Sequence, residues 1–237
     1  MSIGVQIDLT KHVMYSPLME KIVREHLARK YPESEIEPMW NRVQEQYAAF
    51  LEDLPYLGGK KNTHNGVGGT YDCIMIFAYY EALDHAPGMD ELYDMNCEAF
   101  LTGFKGLAKV ANANRPLVRR ILQMAFKATE KSKYNCDPDQ PTGYIMKVDK
   151  YDKAVGPRYI FERCPIAEFA KAHGYLDVMP AFCNSDYPAM EMIHGHLIRT
   201  TTCANGDKCD YWIVGDASEA AKQHPKKTDD RGYWYND

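Results

Sequence analysis

The spacing of apolar residues divides the 237-residue chain into a helical first half and a strand-rich second half. In four stretches of the first half, apolar side chains recur every three or four residues, which is the period of an amphipathic helix. These stretches are residues 17–30, 37–54, 89–110 and 116–126. A fifth stretch, residues 73–80, is apolar on all sides and predicts a helix that crosses the core.

Prolines and small polar residues mark where these helices begin. Ser16 is a typical N-cap, and Pro17 and Pro38 suit first helical positions. The last helix begins at Pro116, and its apolar residues are predicted to form one buried face: Leu117, Val118, Ile121, Leu122, Ala125 and Phe126.

Alternating apolar residues predict strands in the second half. Tyr144, Met146 and Val148 lie on one face of a first strand, and RYIFERC follows as a second. The β-rich runs HLIRTTTCA and CDYWIVGD flank Asn205–Lys208, which predicts a hairpin. Before it, residues 166–173 predict a short helix, and residues 176–192 predict another that is broken or kinked at Pro180 and Pro188.

These elements favour one α+β domain, in which helices cover a small antiparallel sheet. We expect a mainly helical part at residues 1–130 and a strand-rich part at 131–216. The polar tail, 217–237, is expected to fray or to pack on the surface.

Composition limits the classes of function. The net charge of −5 argues against general nucleic-acid binding, which needs a basic face. We expect no membrane partner, because no apolar run approaches the roughly 20 residues that span a bilayer. The amino terminus lacks a secretory signal pattern, so we expect a cytoplasmic protein whose seven cysteines are reduced.

Chemically capable residues concentrate between positions 163 and 216, which hold four of the seven cysteines and three of the eight histidines. Cys183 is the leading candidate nucleophile, and Asp186 lies one helical turn away. His194 and His196 would share one strand face and move protons. The alternative is a buried structural cysteine with two surface histidines.

Two further groups are candidates for substrate binding. Arg199 and Thr201 are two residues apart on a predicted strand and suit a substrate carboxylate, although a salt bridge from Arg199 to Asp210 or Asp216 explains the arginine equally well. The glycine-rich segment 58–70 contains His64, Gly68 and Gly69, and its backbone N–H groups around Gly66–Gly69 are suited to an oxyanion. It lacks phosphate-loop spacing, and a flexible connector is the alternative.

A metal is a weaker hypothesis. Cys164, Cys183, Cys203 and Cys209 could bind zinc together with a histidine, but no CxxC or HExxH motif is present. We therefore expect no cofactor and keep zinc as an alternative.

The order of motifs resembles a known family. Cys164-Pro165, Cys183-x-x-Asp186, Arg199-x-Thr201 and Cys209-Asp210-Tyr211 are similar to the C-terminal signature of the L-2-amino-thiazoline-4-carboxylic acid hydrolases. The glycine-rich loop and the following YYEAL helix are also similar, so the resemblance covers about residues 58–216. It implies hydrolysis in which water adds to the ring carbon between sulfur and nitrogen.

These observations lead to a hypothesis of function. We expect a hydrolase that opens a small cyclic amide, amidine or thiazoline at a carbon–nitrogen bond, using Cys183, Asp186 and a histidine. The alternative is a non-catalytic domain that senses a small molecule or a metal through its cysteines. A small-molecule substrate is the expected partner, and self-association through the helical half is a further possibility.

Overall fold

The computed structural model describes residues 15–53, 69–131 and 144–237. Its fold is α+β, with helices mainly in the first half and a small antiparallel sheet in the second, as the sequence predicts. The helices of the first half are α1 (Pro17–Lys30), α2 (Glu33–Asp53), α3 (Thr70–Ala82), α4 (Met89–Thr102), α5 (Lys105–Ala108) and α6 (Pro116–Glu130).

The helix α3 forms the centre of the helical half. Ten of its thirteen residues are buried, which confirms the prediction of a helix that crosses the core. The helices α1, α2 and α4 pack around it. The predicted cap of α1 is also present, since the Ser16 hydroxyl accepts a hydrogen bond from the Met19 N–H at 3.1 Å.

Two boundaries and one face of the first half differ from prediction. The helix predicted over 89–110 is interrupted at Gly103, so α4 ends at Thr102 and α5 is a separate short turn. The buried-face prediction for α6 is wrong for Leu117 and Ile121, which are 68% and 55% exposed, and for Ala125, which is also exposed. The neighbouring side of the helix, with Val118, Leu122 and Phe126, packs against the core.

The sheet contains four antiparallel strands in the order β1-β2-β4-β3. The strands are β1 (Ile145–Val148), β2 (Arg158–Arg163), β3 (Gly195–Ile198) and β4 (Cys209–Gly215). The predicted hairpin joins β3 and β4, but its connection spans residues 199–208, because β3 ends earlier than the β-rich composition indicates.

Short helices link β2 to β3. They are α7 (Pro165–His173), a 3₁₀ turn (Leu176–Val178), α8 (Pro180–Cys183) and α9 (Asp186–Glu191). The single helix expected over 176–192 is thus three pieces. Pro180 begins one of them, whereas the second break falls at Asn184–Ser185 and Pro188 lies inside α9.

The tail is docked on the second half instead of fraying. It forms α10 (Glu219–Gln223) and a two-stranded ribbon, β5 (Lys227–Thr228) with β6 (Trp234–Tyr235). Asn236 is completely buried, and its Oδ1 accepts hydrogen bonds from the Arg199 N–H and the Tyr187 hydroxyl at 3.1 and 3.0 Å. The tail therefore supports residues that neighbour the predicted site. Among the described helices, none is long and apolar enough to span a membrane.

Candidate active site

A cavity of about 310 Å³ lies between the helical half and the sheet. Most of its wall is apolar and comes from α4, the α4–α5 connection, α6 and one face of the sheet. Five of the predicted motif residues lie at its polar end: Cys164, Cys183, Asp186, Arg199 and Cys209. The sequence cluster between 163 and 216 therefore corresponds, in part, to one place in the fold.

The turn between α8 and α9 presents Cys183 and Asp186 to this cavity. Asn96, a buried side chain of α4, holds the turn. Its Nδ2 donates to the carbonyl oxygens of Ala181 and Phe182 at 3.3 Å each and to the Ser185 hydroxyl at 3.0 Å. A helix from the first half thus fixes the position of both candidate residues.

Arg199 follows β3 directly, and its side chain is only 1% exposed. One terminal nitrogen donates to Asp186 Oδ2 at 2.8 Å, and the other donates to the Cys183 carbonyl oxygen at 2.9 Å. Nε is buried without a hydrogen-bond partner in the described part of the chain. Arg199 is therefore paired within the protein with Asp186, and not with Asp210 or Asp216.

Within the described part of the chain, Asp186 accepts hydrogen bonds through one oxygen only. The Tyr211 hydroxyl also donates to Oδ2, at 2.8 Å, and Oδ1 accepts none from the residues that the structure describes. The side chain keeps 26% of its surface exposed where it lines the cavity. Burial raises the pKa of Asp186, although the charge of Arg199 and the Tyr211 hydrogen bond oppose this shift.

The thiols of Cys183 and Cys164 favour the neutral form. Burial raises the pKa of Cys183 well above its usual value, and it does the same to Cys164 despite backbone hydrogen bonds from Ala167 and Ile166. Cys73 of α3 lines the same cavity, and burial raises its pKa as well.

Cys209 differs from these thiols, because hydrogen bonding from Cys203 lowers its pKa in spite of burial. The Cys203 backbone N–H donates to the Cys209 sulfur at 3.0 Å. The Cys203 S–H can reach either that sulfur or the Phe161 carbonyl oxygen, which lies 3.4 Å away. The charge of Arg199 acts in the same direction. Among the described cysteines lining the cavity, Cys209 is therefore best placed to become a thiolate.

The histidines do not reach the cavity. His194 is 57% exposed and lies 3.4 Å from Asp216, while His196 Nε2 donates to the His224 carbonyl oxygen at 2.8 Å. In β3, Leu197 faces the main core, so His196 and Ile198 face the other side of the sheet, where α10 packs. The expected proton exchange between these histidines and Asp186 has no geometric support.

Thr201 and Asp210 organise the β3–β4 connection and do not line the cavity. Asp210 Oδ1 accepts from the Thr200 and Thr201 backbone N–H groups at 3.0 and 2.8 Å. At Gly206, a Cβ atom would lie 2.2 Å from the Thr201 hydroxyl oxygen, so the close packing of this connection requires glycine.

Most of the glycine-rich segment 58–70 lies outside the described residues, including His64, Gly66 and Gly68. Gly69 precedes α3 with φ = 55°, a left-handed conformation that favours glycine, and its carbonyl oxygen accepts from the Asp72 and Cys73 N–H groups.

No role in the site was predicted from the sequence for Tyr211, for Asn96 or for the aromatic residues that line the cavity. Tyr211 follows Cys209 by two residues, so strand alternation places both on the cavity face of β4. Tyr159 lies opposite Tyr211 in the register, and their rings stack with centroids 4.5 Å apart. Strand alternation could have identified Tyr211. The position of Asn96 depends on long-range packing and had no local signal.

No group of three or more histidine, cysteine, aspartate or glutamate side chains in the described ranges is arranged to hold a metal ion. The zinc alternative therefore gains no support from the arrangement of these side chains.

Comparison with known proteins identifies the class. The family model of the L-2-amino-thiazoline-4-carboxylic acid hydrolases matches residues 70–213, which span α3, the cavity and most of β4. The chain belongs to this hydrolase family. No curated protein and no solved structure matches it significantly.

Proposed function

We propose that the protein hydrolyses a cyclic amidine of the thiazoline type at the polar end of the cavity. The proposal rests on one observation. The Asp186 carboxylate, whose Oδ1 accepts no hydrogen bond from the described residues, lines the same cavity as the thiols of Cys183 and Cys209. Family membership supports the reaction class.

Asp186 is suited to bind the amidine and to move a proton. Its Oδ1 is available to a ligand, and an amidine is largely protonated near neutral pH, so a charge-assisted hydrogen bond would orient the ring. Burial raises the pKa of Asp186 toward neutral pH, and a general base is most effective when its pKa is near the pH at which it works.

Cys209 is the preferred nucleophile, because its hydrogen bonds and the nearby Arg199 favour the thiolate. The sequence favoured Cys183, but burial keeps that thiol protonated. A neutral Cys183 is better suited to donate a proton to the leaving group.

The proposed chemistry balances with one water molecule. The Cys209 thiolate adds to the amidine carbon, and the adduct expels the ring sulfur, which receives a proton from Cys183. Asp186 then removes a proton from water, the resulting hydroxide adds to the same carbon, and Cys209 departs as a thiolate. As the carbonyl forms, the new hydroxyl group releases its proton to solvent, which accounts for the proton that the amidinium brought. The Cys183 thiolate recovers its proton from Asp186, which restores the site and leaves a carbamoyl product with a free thiol.

For a thiazoline, this sequence breaks a carbon–sulfur bond. A thiolate leaves more readily than an amine anion because its conjugate acid is far more acidic. The carbon–nitrogen cleavage expected from the sequence thus applies to cyclic amides and amidines without ring sulfur.

The test is thiol release from L-2-amino-thiazoline-4-carboxylic acid and from 2-amino-thiazolines without the carboxylate. We expect Cys209→Ala to lose turnover by several orders of magnitude. Cys183→Ala should lose about 100-fold, as expected for a missing proton donor. Cys97→Ala is the matched control, because this cysteine of α4 does not line the cavity.

Two outcomes would contradict the proposal. If Cys209→Ala turns over normally and Cys183→Ala is inactive, the nucleophile is Cys183. If the wild-type protein opens no cyclic amidine at all, the proposed function is wrong.

A further inference from the structure

We infer that the preferred substrate carries an apolar group where the family's name places a carboxylate. This inference rests on the proposed function, because it assigns a substrate class to the same site. It comes from two unlike groups of residues in the cavity lining, one polar and one largely aromatic, which are called its polar and apolar ends below.

The apolar end is the larger part of the cavity wall. Phe100, Phe104, Leu122 and Phe126 form its helical side, and Met146 and Phe161 face them from the sheet. The cavity volume of about 310 Å³ lies at the lower end of pockets that hold drug-sized ligands, about 300–1,000 Å³. A five-membered ring with a single carboxyl group would leave the aromatic end unfilled.

The polar end offers no free positive charge to a carboxylate. Arg199 is the only basic side chain among the described residues lining the cavity. Asp186 matches its charge at 2.8 Å, and the Cys183 carbonyl oxygen accepts from its second terminal nitrogen. Of its other N–H groups, the one on Nε is buried, and the whole side chain is only 1% exposed, so little of the guanidinium can reach a ligand. A buried carboxylate without a cationic partner is strongly disfavoured.

The same polar end suits a cationic ring. Asp186 Oδ1 can accept from an amidinium N–H group without breaking the ion pair to Arg199. A ring held in this way at the polar end would place a substituent against the aromatic wall, where it would leave water. The cavity therefore favours an alkyl or aryl substituent on the ring.

The test compares three 2-amino-thiazolines that differ only at ring carbon 4: one with a phenyl group, one with a carboxylate and one unsubstituted. We expect kcat/KM, measured by thiol release, to be at least about 10-fold higher for the phenyl ring than for the carboxylate, since a few added carbons in an apolar pocket suffice for this. A preference for the carboxylate would overturn the inference and leave the proposed function standing.

Calorimetric measurement of ligand binding distinguishes a failure of the proposed function from a failure of the inference about the apolar substituent. If no ring is opened, the proposed function fails, while tighter binding of the phenyl ring than of the carboxylate would still support the apolar pocket. Equal or weaker binding of the phenyl ring would overturn it.

A pair of neighbouring substitutions on α6 locates the specificity. Leu122 lines the cavity, whereas Ile121 is 55% exposed on the outer side of the same helix. Leu122→Arg should shift the preference toward the carboxylate by about 10-fold or more, since the new cation can pair with it. Ile121→Arg should leave the preference unchanged.

If Leu122→Arg does not fold, Leu122→Ala replaces it. Its ratio of kcat/KM for the phenyl and carboxylate rings should fall several-fold. An unchanged ratio in the folded variant would place the substituent elsewhere and overturn the inference.

Discussion

Two groups of titratable residues lie close together in the chain and differ in their surroundings. Cys183 and Asp186 line the cavity, where burial raises both pKa values. His194 and His196 follow shortly after in the sequence, yet one is exposed and the other is bonded to a carbonyl oxygen on the far side of the sheet. From residue type alone, His194 and His196 were expected to move protons together with Asp186. Their positions outside the cavity leave Asp186 as the better-placed proton carrier.

The difference shows how the fold assigns roles. Asp186 is held by Arg199 and Tyr211 so that one oxygen stays available, which is an arrangement that serves a ligand. His194 meets Asp216 in solvent, where an ion pair contributes little to stability or to orientation.

Breaking the ion pair of the cavity should have the largest effect. Replacing Arg199 with methionine leaves the Asp186 carboxylate partly buried without its counter-charge, which typically costs about 3–5 kcal/mol of unfolding free energy. Chemical denaturation would measure this loss. Arg158→Met is the control, since the exposed Arg158 only stacks on Trp212 at 4.1 Å and should contribute about 0.5–1 kcal/mol. Equal losses of unfolding free energy in the two variants would show that the ion pair stabilises the fold no more than the surface stacking contact does.

The pH dependence of activity should report Asp186. Its folded pKa is raised, so the basic form that catalysis needs is lost as the pH falls through a value above the ordinary aspartate value of about 3.9. The Cys209 thiolate is also lost on acidification, so kcat/KM should fall in two steps as the pH drops, and the step due to Asp186 should have its midpoint above that value. In Asp186→Asn we expect one of the two steps to disappear and activity to fall by about 100- to 10,000-fold. Two unchanged steps in that variant would assign the second titration to another group.

The same raised pKa has a consequence for stability. The folded state binds the Asp186 proton more tightly than the unfolded state, so this group favours folding below its unfolded pKa and loses that contribution as the pH rises through the folded pKa. Between pH 4, close to the ordinary aspartate pKa, and pH 7, wild type should therefore lose stability relative to Asp186→Asn. Denaturation curves at the two pH values would measure the difference, and Asp216→Asn serves as an exposed control.

The docked tail should have an intermediate effect. Asn236→Ala removes the acceptor of the Arg199 N–H and the Tyr187 hydroxyl and should cost about 1–3 kcal/mol. Thermal unfolding would show the loss, with Lys227→Ala as a control on the exposed part of the tail. That side chain pairs with Asp237 at the surface, where solvent screens the ion pair, so its removal should change the unfolding temperature little. Equal effects of the two changes would mean that the tail does not brace Arg199.

The smallest effect is expected at the histidine pair. His194 adopts φ = 55°, a left-handed conformation that asparagine also tolerates. His194→Asn should change unfolding free energy by no more than about 0.5 kcal/mol and leave kcat/KM within about twofold. A large loss of kcat/KM in this folded variant would show that His194 contributes to catalysis.

Local patterns predicted much of the fold. The alternation of Tyr144, Met146 and Val148 gave the buried face of β1, and the apolar run in α3 gave the core helix. The outward face of α6 was missed because Leu117 and Ile121 extend the apolar side of that helix around its surface. A pattern that is apolar over a wide arc does not identify the side that meets the core.

The candidate site could be predicted only in part, for a similar reason. Cys183 and Asp186 are close in sequence and share a turn, so their meeting at the cavity was predictable. Residues three apart on a strand point to opposite faces of the sheet, so the sequence alone could have placed His196 and Arg199 on different faces. The hydrogen bond from Cys203 to Cys209 and the support from Asn96 depend on packing between distant segments, which local spacing does not encode.

The most direct measurement is the mass of the protein quenched during turnover of a 2-amino-thiazoline, followed by peptide mapping. Asp186→Asn is the protein of choice, because loss of the base should slow removal of the bound carbon and let the adduct accumulate. An added amidine mass is expected on the peptide that contains Cys209. An adduct on Cys183, or turnover by wild type with no adduct in either protein, would contradict the assignment of Cys209 as the nucleophile.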